Sequence, residues 1–385
     1  MPRGTESSAP LTDDTTSTVR EATPHDDPAL VALAAMCPMD GDISLCVDRE
    51  PSFFTLSRLE GDPWRVGVVD DPDGNPIACM GVARRHLYLG GEPTYVAYIG
   101  DLKVHPEHRR KRVAINLVRW AHQVAEEMVG ADGVKISTVL KGNESVERGL
   151  ETLAAEGTSM RPVGTIRSLS VPLVTKRRIR PREIVVDRAV SADIPEMIRL
   201  WQRIAPKRDG APVLDEAEFR TLLDASPGLS ISDYLLARRR GGDDAIIGFV
   251  GLWDQHSMKQ MRVIEYASMM RPLRTVFNLL SPLTRVTELP APGRELRYRN
   301  AVHLCIEPGD VSTLRALLLA GGNWLKSEGY SIFTVGVDAD DPLVKAFSGM
   351  LAQPTDVTAI IDRVRTGAPV RTDVHRPLHF EISTV

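Results

Sequence analysis

Residues 98–117 read YIGDLKVHPEHRRKRVAINL, and the predicted fold is organised around this stretch. Its first part is an apolar run typical of a strand, which ends at His105-Pro106. Cationic side chains occupy residues 109–112, and an amphipathic helix continues through Trp120. A strand, a short loop and a helix start present unpaired backbone N–H groups and the positive end of a helix dipole to an anion. We therefore predict an anion site here, and we interpret the anion as a pyrophosphate group.

The composition is typical of a soluble globular protein with more than one domain. The chain has 385 residues, of which 43% are hydrophobic and 25% charged, and this length predicts two domains. No apolar run approaches the roughly 18 residues that a membrane helix needs. Residues 1–16 are polar and lack the apolar core of a secretory signal, so we expect a disordered tail and a cytoplasmic protein.

The charge, the cysteines and the histidines argue against several kinds of site. The formal net charge of -4 argues against general nucleic-acid binding. The 4 cysteines lie far apart without a Cys-x-x-Cys pair, which indicates reduced thiols rather than a disulfide frame or a zinc site. His105 and His108 have a spacing that metal ligands use, but they flank a proline turn. Because we expect no third ligand nearby, we predict no metal.

Apolar patterns before and after the opening stretch predict a mixed α/β domain over residues 17–174. Strands are expected at residues 19–22, 64–69, 77–84, 95–104, 134–140 and 166–174, and helices at residues 28–36, 52–59, 110–128 and 145–155. A glycine-containing turn is expected at residues 88–94. Residues 175–183 are rich in Lys and Arg, which is typical of a basic, solvated linker. Nucleic-acid binding by this linker is a weaker alternative, since no aromatic residues are interleaved.

The second half of the chain repeats the pattern of the first. Four segments match in the same order: residues 186–195 match 19–28, 247–252 match 77–82, 304–308 match 102–106, and 329–335 match 133–139. Each match alone is weak, but their common order argues for a duplicated domain over residues 184–385. The second copy would carry an insertion of roughly 30 residues before its fourth strand.

The opening stretch resembles motif A of the GNAT superfamily of acyl-CoA N-acyltransferases, whose loop pattern is Q/R-x-x-G-x-G/A. The loop here reads Arg109-Arg110-Lys111-Arg112-Val113-Ala114, so the first and last positions fit and Arg112 replaces the central glycine. The preceding Asp101-Leu102-Lys103-Val104 is similar to the strand before this loop in related acetyltransferases. The resemblance covers about residues 17–174. It implies a tandem GNAT protein of two mixed α/β domains, each on a mostly antiparallel sheet that is splayed near its fourth strand.

The resemblance also implies that acetyl-CoA or another acyl-CoA is the co-substrate. Its pyrophosphate would lie on the amides and cations of the loop, and Asn143 fits an asparagine near the pantetheine arm. The expected contacts are Leu102, Lys103, Val104, Arg109, Arg110, Lys111, Arg112, Val113, Ala114 and Asn143. The side chain of Arg112 would pair with a phosphate. A solvated basic helix start is the alternative, but without a ligand it would oppose the helix dipole.

N-acyl transfer requires a group that orients or deprotonates the amine and an acid for the departing thiolate. Asp101 matches an acidic position that contacts the amine in related acetyltransferases; alternatively it only pairs with Lys103 or Arg85. Tyr98 is a candidate acid or substrate contact, and alternatively a core residue. Leu150 stands where the family has its usual tyrosine acid. Water, Tyr95 or Tyr98 would then protonate the thiolate, unless no dedicated acid is needed.

The second copy has lost the chemistry of the loop. Its residues Val311, Ser312, Leu314 and Ala339 align with Arg109, Arg110, Arg112 and Asn143. We therefore expect a degenerate GNAT-like second domain. The first domain would be an N-acyltransferase, and specifically an N-acetyltransferase, that transfers the acyl group directly to a small-molecule or peptide amine in a ternary complex. A homodimer is compatible with this interpretation, and no membrane partner is expected. The alternative is a catalytically degenerate acyl-CoA sensor or scaffold.

Overall fold

The fold is known here from a computed structural model, which describes residues 18–39, 43–109, 113–142, 160–179, 181–241, 245–268, 271–272, 274–275, 278–279, 288–362 and 376–384. The helix predicted at residues 145–155 lies outside the described residues. The same is true of four predicted cofactor contacts, Arg110, Lys111, Arg112 and Asn143.

The first half follows the predicted order of strands and helices. Its elements are β1 (Val19–Glu21), α1 (Asp27–Ala35), β2 (Ile43–Asp48), α2 (Phe54–Glu60), β3 (Trp64–Asp70), β4 (Pro76–Leu89), β5 (Glu92–Val104), α3 (Val113–Val129), β6 (Val134–Leu140) and β7 (Met160–Pro172). The turn expected at residues 88–94 is shorter than predicted. Gly90 and Gly91 both have positive φ, 62° and 89°, so two residues suffice to join β4 and β5 as a hairpin.

The second half repeats this order with an additional segment. Its elements are β8 (Ile184–Arg188), α4 (Ile194–Ile204), α5 (Glu216–Ala225), β9 (Tyr234–Arg239), β10 (Ile246–Trp253), β11 (Gln260–Tyr266), β12 (Glu295–Leu296), β13 (Tyr298–Ile306), α6 (Val311–Ser327), β14 (Ile332–Asp338) and β15 (Gln353–Asp362). The strands β11 and β12 lie between β10 and β13, where the insertion was predicted.

One continuous mixed sheet runs through both halves. Its 12 strands have the order β1-β3-β4-β5-β6-β15-β7-β14-β13-β10-β9-β8. The last strand of each half lies in the other half's part of the sheet, since β15 pairs with β6 and β7 pairs with β14. The expectation of a mixed α/β fold is confirmed, but the two halves share one sheet instead of having one each.

A smaller sheet also joins the halves. It has 3 strands in the order β12-β11-β2, and β2 comes from the first half. Arg262 on β11 reaches across to Asp48 on β2, with its Nε and Nη2 atoms 2.7 and 2.9 Å from the carboxylate oxygens. The strand β2, which the apolar pattern did not predict, thus has a partner that lies more than 200 residues away in sequence.

The basic segment after β7, predicted as a solvated linker, is exposed at residues 175, 176, 178, 182 and 183 and is attached to the second half at Arg177. The side chain of Asn323 on α6 accepts from the Arg177 backbone N–H and donates to its carbonyl, both at 2.7 Å. The Arg177 guanidinium also donates to the carbonyl of Gly349 at 2.6 Å. The segment is therefore held on the surface of the second half.

Each half contains a point where two parallel strands separate. β5 pairs with β6 only from Val96 to Ile99, and β13 pairs with β14 only from Tyr298 to Asn300. Beyond these residues the strands diverge, so the end of β5 and the start of α3 border an open groove. The helix α3 packs against this sheet through Val113 and Leu117, which are buried with Ala97 and Ile99.

Candidate active site

A β-bulge in β5 places Asp101 at the mouth of the groove. The register between β4 and β5 shifts between Cys79 and Gly81, and Asp101 has a φ of 56°. A positive φ is uncommon for a residue other than glycine, and bulges of this kind re-aim a side chain. The second half has the same device, because the register of β10 shifts before Gly251 and His303 on β13 has a φ of 50°.

The Asp101 carboxylate lies between two cations. The Arg49 guanidinium is 3.1 Å from one carboxylate oxygen, and the Lys103 ammonium pairs with the other. Burial alone would raise the pKa of Asp101, but the charges of Lys103 and Arg49 outweigh it and hold the pKa well below its ordinary value. From the sequence, this pairing with Lys103 was the alternative to a contact between Asp101 and the substrate amine. With its lowered pKa, Asp101 is suited to hold a cation and poorly suited to remove a proton.

Glu60 is a second carboxyl group of this region, and its pKa is shifted in the opposite direction. It ends α2, is 8% exposed, and has an Arg85 nitrogen 4.0 Å from its Oε1 atom. Burial raises the pKa of Glu60 to about 7, assisted by the Asp101 charge and opposed by Arg85. A carboxyl that titrates near neutral pH fits a general base. The sequence did not single out Glu60, because its burial depends on how α2 packs against the second half.

Lys259 brings a charge from the second half into the same cluster. It is 1% exposed, and its Nζ donates to the carbonyl of Ser383 at 3.1 Å. Burial, together with the charge of Arg49, lowers the pKa of Lys259 to about 7, although Asp101 and Glu60 oppose the shift. The charged cluster therefore comprises Arg49, Glu60, Asp101, Lys103 and Lys259, and the insertion of the second half helps to enclose it.

Tyr98 lies where β5 and β6 begin to separate. Its hydroxyl is 3.0 Å from Thr138 Oγ1 on β6, and the Arg85 guanidinium lies 3.8 Å from the centre of its ring. The residue is 2% exposed, and burial raises the pKa of Tyr98 to about 12. The phenol therefore carries its proton at neutral pH, and the raised pKa makes it a weaker acid than an ordinary tyrosine. Tyr95, the other tyrosine considered, is 56% exposed.

The predicted cofactor contacts that the structure describes border the groove. Leu102, Lys103 and Val104 form the end of β5, while Val113 and Ala114 start α3. Val113 is buried in the core between α3 and the sheet. The exposed Arg109 turns back over β5 and donates from Nε to the Val104 carbonyl at 3.4 Å. These residues meet where a helix start faces an open strand edge.

Three ligand-type side chains lie together in the loop after β5. The donor atoms of His105, Glu107 and His108 are all within 4.8 Å of one another. Glu107 is thus a third potential metal ligand beside the two histidines, where the sequence predicted none. One ring nitrogen of His105 already accepts from the Glu107 backbone N–H at 3.4 Å, and Glu107 is exposed.

A cavity of about 780 Å³ opens on the face of the sheet opposite α3. Glu60, Arg85 and Tyr98 line it from the first half, and Trp253, His303 and residues of the segment 376–384 line it from the second. Val96 and Tyr98 face this cavity, whereas Ala97 and Ile99 face α3, because side chains alternate along β5. The sheet thus separates the helix start on one side from the cavity on the other.

The corresponding groove of the second half is filled by protein. Arg208 is 4% exposed and bridges the ends of β13 and β14. Its Nη2 donates to the Ile306 carbonyl at 3.4 Å, and its Nη1 is 3.0 Å from the carboxylate of Asp341. His303, the counterpart of Asp101, is buried, with Tyr234 Oη 2.7 Å from its Nδ1 atom. This half has an internal ion pair where the first half has an opening.

All 4 cysteines are free thiols, as expected. No helix in the described part of the chain is long and apolar enough to cross a membrane.

Comparison with known proteins agrees with this geometry. Residues 47–137 match the model of the acetyltransferase (GNAT) domain. No curated protein sequence matches the chain. Among solved structures, a GCN5-related N-acetyltransferase from Sphaerobacter thermophilus superposes with a TM-score of 0.58 at 16% identity, over 91% of this chain and 96% of that one.

Two other solved structures are similar in fold. The N-myristoyltransferase of Saccharomyces cerevisiae, solved with bound myristoyl-CoA, has a TM-score of 0.60 at 12% identity, over 94% of this chain and 82% of that one. A GCN5-related glucosamine N-acetyltransferase region of a fungal multi-domain β-N-acetylglucosaminidase has a TM-score of 0.59 at 13% identity, over 92% of this chain and 39% of that one. The chain therefore has the fold of these GNAT proteins, and residues 47–137 match the sequence model of the GNAT domain.

Proposed function

We propose that the chain is an acyl-CoA-dependent N-acyltransferase with a single acyl-CoA site, in its first half. The observation that carries this proposal is the groove between β5 and β6, which opens beside the start of α3 in the half whose sequence matches the GNAT domain. The filled groove of the second half supports the assignment to one site. We expect acetyl-CoA as the acyl donor.

The residues of the groove fit such a donor. The helix start of α3, Arg109 and the cations at residues 110–112 would hold the pyrophosphate. The diverging edge of β5 at residues 102–104 would face the pantetheine arm, and we retain Asn143 as a further contact. When bound, acyl-CoA supplies the thioester carbonyl that the amine attacks.

Three side chains have complementary roles in this proposal: Glu60 and Tyr98, which line the cavity, and Asp101, which belongs to the charged cluster. Glu60 accepts a proton from the ammonium or from the attacking nitrogen, because its pKa of about 7 leaves a substantial fraction ionised at neutral pH. Asp101, held by Arg49 and Lys103, orients the amine through its permanent charge. Tyr98 donates its phenol proton to the departing thiolate.

Steady-state kinetics with acetyl-CoA test this proposal. Release of the CoA thiol is measured over a panel of primary amines, with the wild-type chain and with Glu60→Gln. We expect turnover by the wild type and a fall in kcat on the order of 100-fold or more in the variant. The exposed Glu127 on α3 provides a matched control, and Glu127→Gln should retain full turnover.

Calorimetry with acetyl-CoA separates the enzyme from the sensor. Binding without thiol release for any amine would favour a sensor or scaffold and contradict the proposed enzyme. Absence of binding would contradict both.

A further inference from the structure

The floor of the cavity is an apolar cluster that is separate from the larger cores. It consists of Leu87, Leu89, Val96, Val134 and Ile136, on the neighbouring strands β4, β5 and β6. All five side chains line the cavity. An apolar surface of this kind favours an apolar occupant, at about 0.8 kcal/mol for each methylene group removed from water.

The second half contributes apolar side chains to the same cavity. Leu214 precedes α5, Leu222 lies on it, and Phe380 belongs to the segment 376–384. Phe380 packs beside Tyr98, with ring centres 6.0 Å apart. Both halves therefore contribute apolar side chains to the cavity, beside charged ones such as Arg84 and Arg376. Its volume of about 780 Å³ is in the range that holds a drug-sized molecule.

The inward-facing acids of the cavity differ in their availability. Glu381 already accepts from the His303 backbone N–H, and its Oε1 atom is also 2.8 Å from His379 Nε2. Glu60 has a nitrogen of Arg85 at 4.0 Å, beyond hydrogen-bond distance. An amine placed beside Glu60 and the Tyr98 phenol would thus have the apolar floor next to it, since Ile136 is the strand partner of Tyr98. Charged side chains, among them Arg84, Arg161, Asp209 and Arg376, line other parts of the cavity.

We infer that the acceptor is a primary amine carried on an apolar body, such as a long alkylamine or an arylalkylamine. This inference rests on the proposed function. The amino group lies at Glu60, and the body lies on the floor formed by the five apolar residues. In the transfer, the amine nitrogen forms a bond to the acyl carbon as the carbon–sulfur bond breaks. The amine's proton goes to Glu60, and the thiolate takes a proton from Tyr98.

An acyl chain is the other possible occupant of this cavity. A saturated chain has no group that would interact with the Glu60 carboxyl or the Tyr98 hydroxyl, whereas an amine interacts with both. The acceptor amine is therefore the occupant that interacts both with Glu60 and Tyr98 and with the apolar floor.

A series of amines with acetyl-CoA tests the inference. We expect kcat/KM to rise about 3- to 4-fold for each methylene added from butylamine to octylamine, which corresponds to about 0.8 kcal/mol per methylene. Phenethylamine should be a better substrate than glucosamine. A flat series, or a preference for glucosamine, would overturn the inference while leaving the acyltransferase itself established.

A second series identifies which substrate fills the cavity. With octylamine fixed, acetyl-, butyryl- and octanoyl-CoA are compared. We expect no increase in kcat/KM with acyl length. If kcat/KM rises with acyl length and is independent of amine length, the cavity holds the acyl chain and the inference is wrong.

Two neighbouring leucines on α5 provide matched variants. Leu222 and Leu223 are both half-buried, but only Leu222 lines the cavity. Leu222→Asn should lower the preference for octylamine over butylamine at least 5-fold with an unchanged KM for acetyl-CoA. Leu223→Asn should keep that preference, and an equal loss in both variants would contradict the assignment. The milder Leu222→Val serves if Leu222→Asn fails to fold.

Equilibrium binding tests the cavity without turnover. Octylamine binding to the wild-type chain is measured by calorimetry, and we expect Leu222→Asn to weaken it. If octylamine binds and no amine is turned over, the inferred occupant stands and the proposed function fails. If octylamine does not bind, the inference is overturned.

Discussion

Asp101 and Glu60 are two acids of the same charged cluster, and their surroundings shift their pKa values in opposite directions. Arg49 and Lys103 stabilise the charge of Asp101, whereas burial destabilises the charge of Glu60. Two such groups can act differently on an ammonium group. Asp101 remains charged and can orient it, whereas Glu60 can accept its proton. Because the two pKa shifts have opposite signs, the two carboxyl groups should also affect the pH dependence of stability in opposite ways.

The pH dependence of the reaction should follow Glu60. Because Glu60 must be ionised to accept a proton, kcat/KM should rise with pH through about 7, the pKa of this carboxyl. The measurement is kcat/KM for one amine between pH 5.5 and 8.5, corrected for the amine's own ionisation. A profile whose acidic limb lies near pH 4.5 would rule out Glu60 as the base.

The raised pKa of Glu60 should make the free energy of unfolding fall as the pH rises. In the folded chain Glu60 retains its proton up to about pH 7, whereas in the unfolded chain it loses the proton near its ordinary value of 4.5. The folded state therefore binds more protons in this window, and stability falls with rising pH. Relative to wild type, Glu60→Gln should gain about 1–3 kcal/mol between pH 5 and 8 in urea unfolding. A pH-independent difference would contradict the raised pKa.

Asp101→Asn should behave differently. Its lowered pKa gives stability that is fully present above the ordinary value of 3.8 and is lost only as the pH falls through the lower folded value. Losing the charge leaves Arg49 without its ion-pair partner, so the variant should lose about 3 kcal/mol at pH 7 in urea unfolding. Turnover should also fall. Normal turnover would restrict Asp101 to a structural role.

Gly100 allows Tyr98 to reach Thr138. A Cβ atom on Gly100 would lie 2.7 Å from the Tyr98 ring, which is too close. Gly100→Ala should therefore displace the phenol, lower kcat about 10-fold or more and cost about 1–3 kcal/mol of stability. Gly322 on α6 is the matched control, since an added Cβ there meets its nearest neighbours, Leu173 and Phe333, at 3.5 Å and the residue lies far from Tyr98 in the sequence. Equal effects of the two variants on kcat would contradict the role of Tyr98.

At the scale of secondary-structure elements, local sequence patterns predicted most of the helices and strands that lie near the groove. The strand at residues 134–140 has the predicted bounds, and α2 lies within one residue or two of its prediction, because each depends on apolar periodicity within a short segment. The bulge at Asp101 was not predicted, since it depends on the register between two strands. The contributions of Arg49 and Lys259 were also missed. They reach the site through the pairing of β2 with β11, which no local pattern encodes.

The partners of β7 were the least predictable part of the fold. Its apolar residues predicted a strand correctly, but that strand pairs with β15 and β14 of the second half. Any strand with a suitable apolar pattern could pair with β7. Which strand does so therefore depends on how the two halves assemble. The exchange of β7 and β15 brings the segment 376–384 next to the cavity of the first half.

At the scale of the whole molecule, the continuous sheet should make the chain unfold as one unit. The central pair β7–β15 belongs to both halves, so neither half can lose its structure without breaking the pairing of the other. We predict a single calorimetric transition whose calorimetric and van't Hoff enthalpies agree. Two resolved transitions would show that the halves are independent domains.

The central claim is that the chain has one acyl-CoA site, in the groove beside α3. Calorimetric titration with acetyl-CoA tests it most directly, using the wild type, the double variant Arg109→Ala with Arg112→Ala, and Arg315→Ala in the first turns of the corresponding helix α6. We predict one acetyl-CoA per chain, at least 10-fold weaker binding in the double variant because two phosphate contacts are lost, and no change for Arg315→Ala. Two sites per chain, or unchanged affinity in the double variant, would contradict the account.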